Sequence, residues 1–434
     1  MGESEKNVSV LLLSFVLLVI LFGGIRLNNH QDTTRLTIGF YSDAQLTGST
    51  KEMYDHYDRI IEKFEAKFPG TKVNYTSGIP GEEYSEWLGE KLLKGEEPDA
   101  FLVMPGDFEM LAESGALCNL DDPVSSDYTF DPEVYYKPAM DFGRFRDNVY
   151  ALPISCVPTI MFVNKTLLED NGITMPDDDW TWDEFYDICQ KISESGKGEF
   201  GVYGYGWKDA VRSNGASLFS GDGKTCNLTD DKIQEAIRFQ IRLDALNGGY
   251  TVRSKDFDLG RVAFRPFSYS EYRAYQPYPW RVKKYTGFEW DGIQMPKGPH
   301  GDNVSEIDTL LMGISAHSDN KEMAWEFVKM CSSDEELQKG FYSCLRGISP
   351  LKAVAENDRM VDVIMEDMPG ERAFNKDTIG SIMSKAVTKP RFAGYEQAEN
   401  MADKIIQQEM YGDSFEESML LTEQRKINNY LMKQ

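Results

Sequence analysis

Segments with strand character alternate with amphipathic helices near the start of the sequence. The run LTIGFY at Leu36–Tyr41 is typical of a buried strand, and apolar residues recur at three- and four-residue steps across Met53–Phe68, as on one face of a helix. A second strand begins at Val73, and a second helix pattern around Leu88 leads into the apolar run Asp99–Met104. This repeated order favours a mostly parallel sheet with helices on both faces, so the sequence predicts an α/β fold.

Later helices carry start signals of their own. Thr181 and Glu184 form a capping-box pattern, in which a hydroxyl and a carboxylate satisfy the unpaired N–H groups at a helix start. The same spacing recurs at Ser333–Glu336 and Ser414–Glu417, and the pattern is nearly all helical over 353–434. The α/β region is therefore predicted to end in a helical C-terminal segment.

An uncharged apolar stretch precedes the first strand. Val8–Ile25 has 18 residues, enough for a helix of roughly 27 Å, which is close to the hydrocarbon thickness of a bilayer. The stretch is long for a signal peptide, lacks a clear small-x-small cleavage site and has no Cys near its end to carry a lipid. We therefore expect residues 1–27 to be an uncleaved membrane anchor, with a cleaved signal peptide as the alternative, and 28–35 to be a linker.

Length and charge indicate how many domains the chain has and which partners it excludes. With 434 residues, the chain exceeds one ordinary hydrophobic core, so two domains are expected. Its formal net charge of −25 would repel nucleic acid and anionic lipid, and we expect neither as a partner.

The cysteine and histidine residues are dispersed. No CxxC pair occurs, and no histidine pairs with a Cys or Ser in the order of a known triad. We therefore expect no metal site, no cofactor and mostly buried free thiols. The cysteines are Cys118, Cys156, Cys189, Cys226, Cys331 and Cys344.

A series of longer motifs follows in a specific order along the chain. They include a Gly-x-x-Pro-Asp turn that enters a strand, a Tyr-x-Leu-Pro segment and the run WTWDEF. The segments are Ile60–Tyr75, Leu92–Asp122, Tyr150–Ile173, Trp180–Phe185, Leu259–Tyr272, Gln294–Gly301, Lys321–Gly340 and Arg346–Pro350. Each alone is weak, but in order and spacing they together resemble the family 1 extracellular solute-binding proteins of bacterial ABC importers, whose maltose-binding-protein-like members serve sugar uptake.

The resemblance implies a two-lobe, periplasmic-binding-protein-like (type II) fold, in which a ligand lies in the cleft between lobes that close about a hinge. It implies that the chain crosses between the lobes near Tyr150–Pro153, Ile307–Leu311 and Cys344–Pro350. The first lobe is then expected to comprise 36–150 plus 305–343, and the second 151–304 plus 344–434.

The function implied by the resemblance is delivery of a small polar solute, expected to be a sugar or oligosaccharide, to the permease subunits of an ABC importer. It implies a monomer without enzymatic activity on the extracytoplasmic face of the cell membrane. A membrane-tethered sensor that presents solute to a signalling receptor is an alternative with the same fold. A glycoside hydrolase needs two carboxylates around a bond, which 71 acidic residues always allow, but no nucleophile elbow, phosphate loop or metal motif is present.

Loops at strand ends are expected to face the cleft. From the family positions, the expected ligand-binding residues are Tyr41, Asp43, Asp107, Ser155, Trp207, Tyr269, Tyr272, Arg346 and Tyr395. The Trp207 and Tyr269 rings suit the apolar face of a sugar, although Trp207 can equally be part of a core, and Tyr269 and Tyr272 can belong to a packed surface loop. Asp43 and Asp107 are also typical of turns and helix caps, and Arg346 can instead bridge the lobes.

Overall fold

The computed structural model describes residues 33–42, 50–271, 288–345, 347–360, 374–411 and 417–433. Its strands, numbered in chain order, are β1 (Thr34–Gly39), β2 (Thr71–Tyr75), β3 (Ala100–Val103), β4 (Arg144–Phe145), β5 (Asn148–Val149), β6 (Ala151–Asn164), β7 (Phe200–Val202), β8 (Val262–Ser268), β9 (Trp290–Ile293) and β10 (Ile307–Ile314).

The helices of the described residues are numbered in the same way, and a single 3₁₀ turn spans Pro132–Val134. They are α1 (Thr50–Lys67), α2 (Gly81–Lys94), α3 (Phe108–Glu113), α4 (Asp121–Ser126), α5 (Lys137–Phe142), α6 (Lys165–Asp170), α7 (Trp182–Ser193), α8 (Trp207–Ser213), α9 (Asp231–Ala245), α10 (Ser254–Asp258), α11 (Lys321–Ser333), α12 (Glu335–Cys344), α13 (Lys352–Ala355), α14 (Lys376–Lys385), α15 (Tyr395–Tyr411) and α16 (Glu417–Leu431).

The strand order is β2-β1-β3-β10-β6-β8-β7, with β9 pairing to β6. The predicted strand–helix alternation gives parallel pairs of β1 with β2 and β3, and of β7 with β8. The expectation of a mostly parallel sheet is wrong, because β10 pairs antiparallel with β3 and β6, and β6 pairs antiparallel with β8 and β9. The α/β class stands, but long antiparallel strands form the middle of the sheet.

Strand β6 is long enough to serve two groups of strands. Its first part pairs with β10 as far as Pro158, and its second part, from Thr159, pairs with β8 and β9. Pro158 has no N–H to donate to a ladder, and it stands where the partner strand changes. Pro153 likewise stands at the irregularity of the β6–β10 register, between Leu310 and Leu311.

Three segments that were predicted to cross between lobes lie side by side. Cys156 on β6 pairs with Thr309 on β10, and on its other side it exchanges two backbone hydrogen bonds with Ile348, with N···O distances of 2.8 and 2.7 Å. Nearly every residue of β6 and β10 is buried, which explains their almost continuous apolar sequences.

The buried side chains form three cores. The first core takes residues from 36–154 and 310–354, and the second core takes residues from 161–295 and 398–431. A third core, which includes Phe162, Phe267 and Ile382, packs between β6, β8 and α14. Because α3 contributes to the first core and α15 to the second, these two helices belong to different packed units.

The helix start signals had mixed outcomes. The Thr181–Glu184 capping box is confirmed, with both reciprocal hydrogen bonds present at the start of α7. The prediction at Ser333 is wrong by one residue: Asp334 caps α12 by accepting from the Leu337 N–H, whereas the Ser333 hydroxyl donates to the Lys329 carbonyl. Ser414 lies outside the described residues, and the helical C-terminal segment is confirmed by α13 to α16.

All six cysteines are free, and four of them are buried, as predicted. No helix within the described ranges is both long and apolar enough to cross a membrane. The apolar segment Val8–Ile25 lies outside those ranges.

Candidate functional site

Two adjoining cavities meet at the loop that precedes α15. The larger has a volume of about 950 Å³ and is lined by α3 and the preceding loop on one side, by Asp308 of β10, and by residues 389–397 on the other side. The smaller, of about 410 Å³, is lined by α8, residues 215–219 and the start of α15. Lys389, Pro390, Tyr395 and Glu399 line both cavities, so the two form one continuous site of a size that suits a small-molecule ligand.

The loop that follows α14 separates the two cavities and lines both. Its first part is held to β10 by two backbone hydrogen bonds, from the Ile307 N–H to the Val387 carbonyl (2.9 Å) and from the Val387 N–H to the Ser305 carbonyl (2.8 Å). Pro390 then disfavours helical backbone in the residue before it. Gly394 has a φ of 79°, a left-handed conformation that allows the chain to turn directly into α15.

Aromatic rings form the wall of the smaller cavity and continue into the larger one. The Tyr395 ring meets those of Phe219 and Phe392 edge to face, with centroid separations of 5.7 and 5.4 Å. Phe219 and Phe392 contact each other in the same geometry at 5.3 Å. Trp207, at the start of α8, lines the same cavity with a mostly buried ring, and its Nε1–H donates to Asp403 Oδ1 at 2.9 Å.

A polar chain connects the aromatic wall to α8. The Tyr395 hydroxyl donates to Glu399 Oε1 (2.5 Å), and Lys208 Nζ forms an ion pair with Glu399 Oε2 (2.9 Å). Burial raises the pKa of Glu399, but the hydrogen bonds from Tyr395 and Lys208 outweigh burial and leave that pKa below its ordinary value. Burial and the Glu399 carboxylate raise the pKa of Tyr395, so its hydroxyl remains a neutral donor.

Glu306 is the centre of a second network, between the smaller cavity and β10. Arg212 donates from one Nη to Glu306 and from the other to Asp209 Oδ1 at 3.0 Å, and Lys389 Nζ lies 3.2 Å from Glu306 Oε1. Burial opposes the charge of Lys389, but Glu306 and Asp308 outweigh it and raise the pKa of the Lys389 ammonium.

Arg391 reaches from the loop to the opposite wall of the larger cavity. Its Nη1 donates to the Phe142 carbonyl at 2.6 Å, and its Nη2 donates at 3.3–3.4 Å to the carbonyls of Asp141 and Arg144. The guanidinium also lies over the rings of Phe142 (4.5 Å) and Phe108 (5.0 Å). Because the Asp141 and Phe142 carbonyls end α5, the contact places a cation where the helix dipole favours one, although burial lowers the Arg391 pKa.

Two partly buried carboxylates line the larger cavity without a hydrogen-bond donor among the described residues. Asp308 and Glu109 are both partly buried, and no described group donates to either side chain. Burial raises the pKa of Asp308, and Lys389 offsets this only in part; burial also raises the pKa of Glu109, with Arg391 as the offsetting charge. Their acceptor oxygens are therefore open to a ligand.

Two of the expected ligand-binding residues lie at these cavities. Trp207 and Tyr395 both line the smaller cavity, and Tyr395 lines the larger one as well. Asp43, Tyr272 and Arg346 lie outside the described residues.

The other expected residues that the structure describes do not line these cavities. Tyr269 is fully buried in the third core, with its hydroxyl 3.4 Å from that of Tyr342, and a ring without exposed surface cannot stack on a ligand in this arrangement. Ser155 is buried where β6 meets β10. Tyr41 packs edge to face on Tyr84 at 5.6 Å, and Asp107 precedes α3 without capping it.

The basic residues that line the cavities are not among the expected ligand-binding residues, of which Arg346 is the one cation. Four cations, Lys208, Arg212, Lys389 and Arg391, line the two cavities. The segment TKPRFAGY at Thr388–Tyr395 could have indicated this basic loop from the sequence. It combines Pro, Gly and two basic residues directly before a helix. Among the described residues there is no group of three or more His, Cys, Asp or Glu side chains that could hold a metal ion.

Comparison with known proteins gives a family match over much of the chain. The sequence profile of the family described as bacterial extracellular solute-binding protein matches residues 47–338. A curated relative, the multiple sugar-binding protein of Streptococcus mutans, is 23% identical over 312 residues, which cover 67% of this chain and 70% of the relative.

Solved structures with the same fold extend the likeness to nearly the whole chain. The sugar-binding protein MalE from Xanthomonas citri superposes with a TM-score of 0.72 at 15% identity, over 92% of this chain and 98% of MalE. The cyclic alpha-maltosyl-1,6-maltose binding protein from Arthrobacter globiformis gives a TM-score of 0.72 at 17% identity, over 92% of this chain and 100% of that protein.

Proposed function

The chain belongs to the bacterial extracellular solute-binding protein family, and on that premise we propose that it binds a sugar or oligosaccharide in the two adjoining cavities and delivers it to the permease of an ABC importer. The curated relative is named for sugar binding, and both solved structures are of sugar-binding proteins. The two-lobe α/β fold is shared with those structures over 92% of the chain.

The family is one of binding proteins, so the protein is a solute-binding protein and not an enzyme. The glycoside hydrolase alternative is therefore set aside. The names of the relatives favour transport over the sensor alternative, since they describe sugar-binding proteins and, in one further case, an ABC substrate-binding protein.

The observation that carries the sugar proposal is the chemistry of the cavity walls. The partly exposed rings of Phe392 and Tyr395 offer apolar faces to the C–H surfaces of a sugar, and the buried rings of Trp207 and Phe219 complete the apolar wall. The carboxylate of Asp308 offers a hydrogen-bond acceptor to its hydroxyl groups. A pocket with apolar walls and a few polar groups is the usual form of a small-molecule site.

The division of the lobes is part of the proposal. The first lobe is 36–150 plus 305–343 and the second is 151–304 plus 344–434, and the make-up of the first and second cores supports this division. Leu351 and Val354 pack in the first core, which favours a last boundary after α13. The site then lies between the lobes, with α3 on one side and α15 on the other.

Location and partners follow from the family in outline. The family is extracellular, so the protein acts outside the cytoplasm. We further propose that residues 1–27 anchor a monomer to the membrane beside its permease. Membrane fractionation tests the anchor, and mass spectrometry of the exported protein showing a start near Asn28 would overturn it.

Thermal-shift screening against neutral mono- and oligosaccharides, with amino acids and short peptides as the comparison set, tests the proposed ligand class. A bound sugar raises the melting temperature by mass action, by RT ln(1 + [L]/Kd) in free energy. Small-angle scattering at saturating sugar should show a decrease in the radius of gyration. A protein that responds to peptides and to no sugar would refute the proposal.

A further inference from the structure

Asp308 is a partly buried carboxylate in the cleft. It lies on β10, opposite Val157 of β6, where both strands run through the middle of the sheet. Its side chain lines the larger cavity and is partly buried, and no described group donates a hydrogen bond to it or forms an ion pair with it within 4 Å. A half-buried carboxylate without a donor destabilises a folded protein, so it calls for an explanation.

The cations of the site are already matched by negative charge or carbonyl oxygen. Lys208 pairs with Glu399, and Arg212 pairs with Asp209 and Glu306. Lys389 also pairs with Glu306, and Arg391 is held by three backbone carbonyls. Four cations in a cleft would ordinarily suggest an anionic ligand, but these four are engaged by the protein itself.

The charge that the protein leaves unmatched in the larger cavity is therefore negative. Asp308 and Glu109 face that cavity from β10 and from α3, with oxygens that can accept but not donate when ionised. These two carboxylates would repel an anionic group in this space, and the repulsion is stronger than in water because the dielectric constant is lower. A hydroxyl or ammonium group would instead supply the missing hydrogen-bond donor.

We propose that Asp308 determines the charge specificity of the cleft, by accepting a hydrogen bond from a neutral or amino sugar and excluding sugars that carry a carboxylate or phosphate. This inference rests on the proposed sugar-binding function and deepens it. Asp308 is assigned this role ahead of Glu109 because its backbone pairs with Val157 in the middle of the sheet, whereas Glu109 lies on the short helix α3.

The test compares Asp308→Asn with the wild-type protein by calorimetry. The ligands are neutral sugars and their matched uronic acid and 2-amino forms. The first set is glucose, glucuronic acid and glucosamine, followed by their di- and trisaccharides. The wild type is expected to bind the neutral and amino forms at least tenfold more tightly than the uronic acid. In Asp308→Asn the neutral form should bind about five- to tenfold more weakly, and the preference over the uronic acid should shrink by roughly ten- to fiftyfold.

Glu62→Gln is the matched control, because it removes one negative charge from the exposed face of α1, away from the cavities. It should leave the preference unchanged. The melting temperature of ligand-free Asp308→Asn should equal or exceed that of the wild type, since the substitution removes a buried charge without a donor. Asp308→Ser serves the same purpose if the Asn variant does not fold.

The outcomes separate the inference from the function on which it rests. If a neutral sugar binds the wild type but Asp308→Asn keeps the full preference over the uronic acid, the inference fails and the function stands. If Asp308→Asn melts several degrees lower and binds with unchanged preference, Asp308 is structural and the inference again fails. If no sugar in any form binds the wild type, the proposed function fails and the inference falls with it.

Discussion

Arg391 should control how readily the cleft closes, because it is the cation that joins the α14–α15 loop to the opposite wall. Its Nη1 bond to the Phe142 carbonyl is short (2.6 Å), and a hydrogen bond to a charged donor is worth about 1.5–3 kcal/mol. The stacking on Phe142 adds about 0.5–1 kcal/mol, and burial of the guanidinium subtracts part of the sum. A net contribution of about 2 kcal/mol to the closed arrangement is expected.

Truncation of this side chain should therefore weaken sugar binding. If the contact exists only when the lobes are closed, Arg391→Ala lowers the closed population by about thirtyfold, and the apparent affinity falls by up to the same factor. Arg391→Lys keeps the charge but not the forked donors, so it should lose less. Calorimetry with the tightest neutral sugar measures the affinity, and scattering at a sugar concentration near the wild-type Kd should show a larger radius of gyration for the Ala variant.

Arg146→Ala is the matched control for Arg391. Arg146 also stacks on a phenylalanine, Phe145, and forms an ion pair with Glu113, but it lies exposed on the surface, where such pairs contribute less than about 1 kcal/mol. It should leave affinity nearly unchanged. The reasoning is refuted if Arg391→Ala keeps the wild-type affinity and radius of gyration, or if Arg146→Ala loses as much affinity as Arg391→Ala does.

Three further substitutions or titrations test the site and the cores. Tyr395→Ala should weaken sugar affinity by about ten- to hundredfold in calorimetry, and equal affinities for wild type and Tyr395→Ala would refute stacking. Trp207→Ala and Tyr269→Ala truncate buried rings and should mainly lower the melting temperature of the ligand-free protein. Burial lowers the pKa of His56 to about 4, so the unfolded state binds a proton at a higher pH than the folded state does. The free energy of unfolding should therefore fall by up to about 3 kcal/mol as the pH drops from about 6.5 to 4. Chemical denaturation of His56→Gln should show a smaller dependence of that free energy on pH over the same range. Asp127→Asn removes the charge of the closest partner of the buried Lys329 (2.5 Å) and should lower the free energy of unfolding in urea by about 3 kcal/mol. A decrease of less than about 0.5 kcal/mol would contradict a stabilising role for that ion pair.

The fold could be predicted from sequence where local chemistry and tertiary packing agree. The periodic apolar residues of α1 and the Thr181 capping box gave helices in the right places, because those signals are local. The antiparallel pairing of β10 could not be predicted in this way, since an apolar strand does not specify its partner. The one-residue error at Ser333 arose because Asp334 competes for the same cap and accepts the hydrogen bond.

The site was less predictable than the fold. Trp207 and Tyr395, which were expected from family positions, line the candidate cavities, yet the same reasoning chose Tyr269, whose ring is buried in the third core. Arg391 and Asp308 were missed because their significance depends on what lies opposite them. Carbonyls at the end of α5 and the absence of a donor among the described residues are properties of the three-dimensional structure.

The position of β10 delays completion of the sheet during synthesis. β10 lies between β3 and β6, but the ribosome reaches it only after β4 to β9 and α3 to α10, roughly 10 to 40 s after β3 at ordinary elongation rates. Until then the edges of β3 and β6 that pair with β10 are unpaired, and such edges readily pair with other chains. A nascent chain that ends before Ile307 therefore has two unpaired strand edges that are prone to aggregation. Its first core is also incomplete, although Leu36, the first residue of that core, is made early.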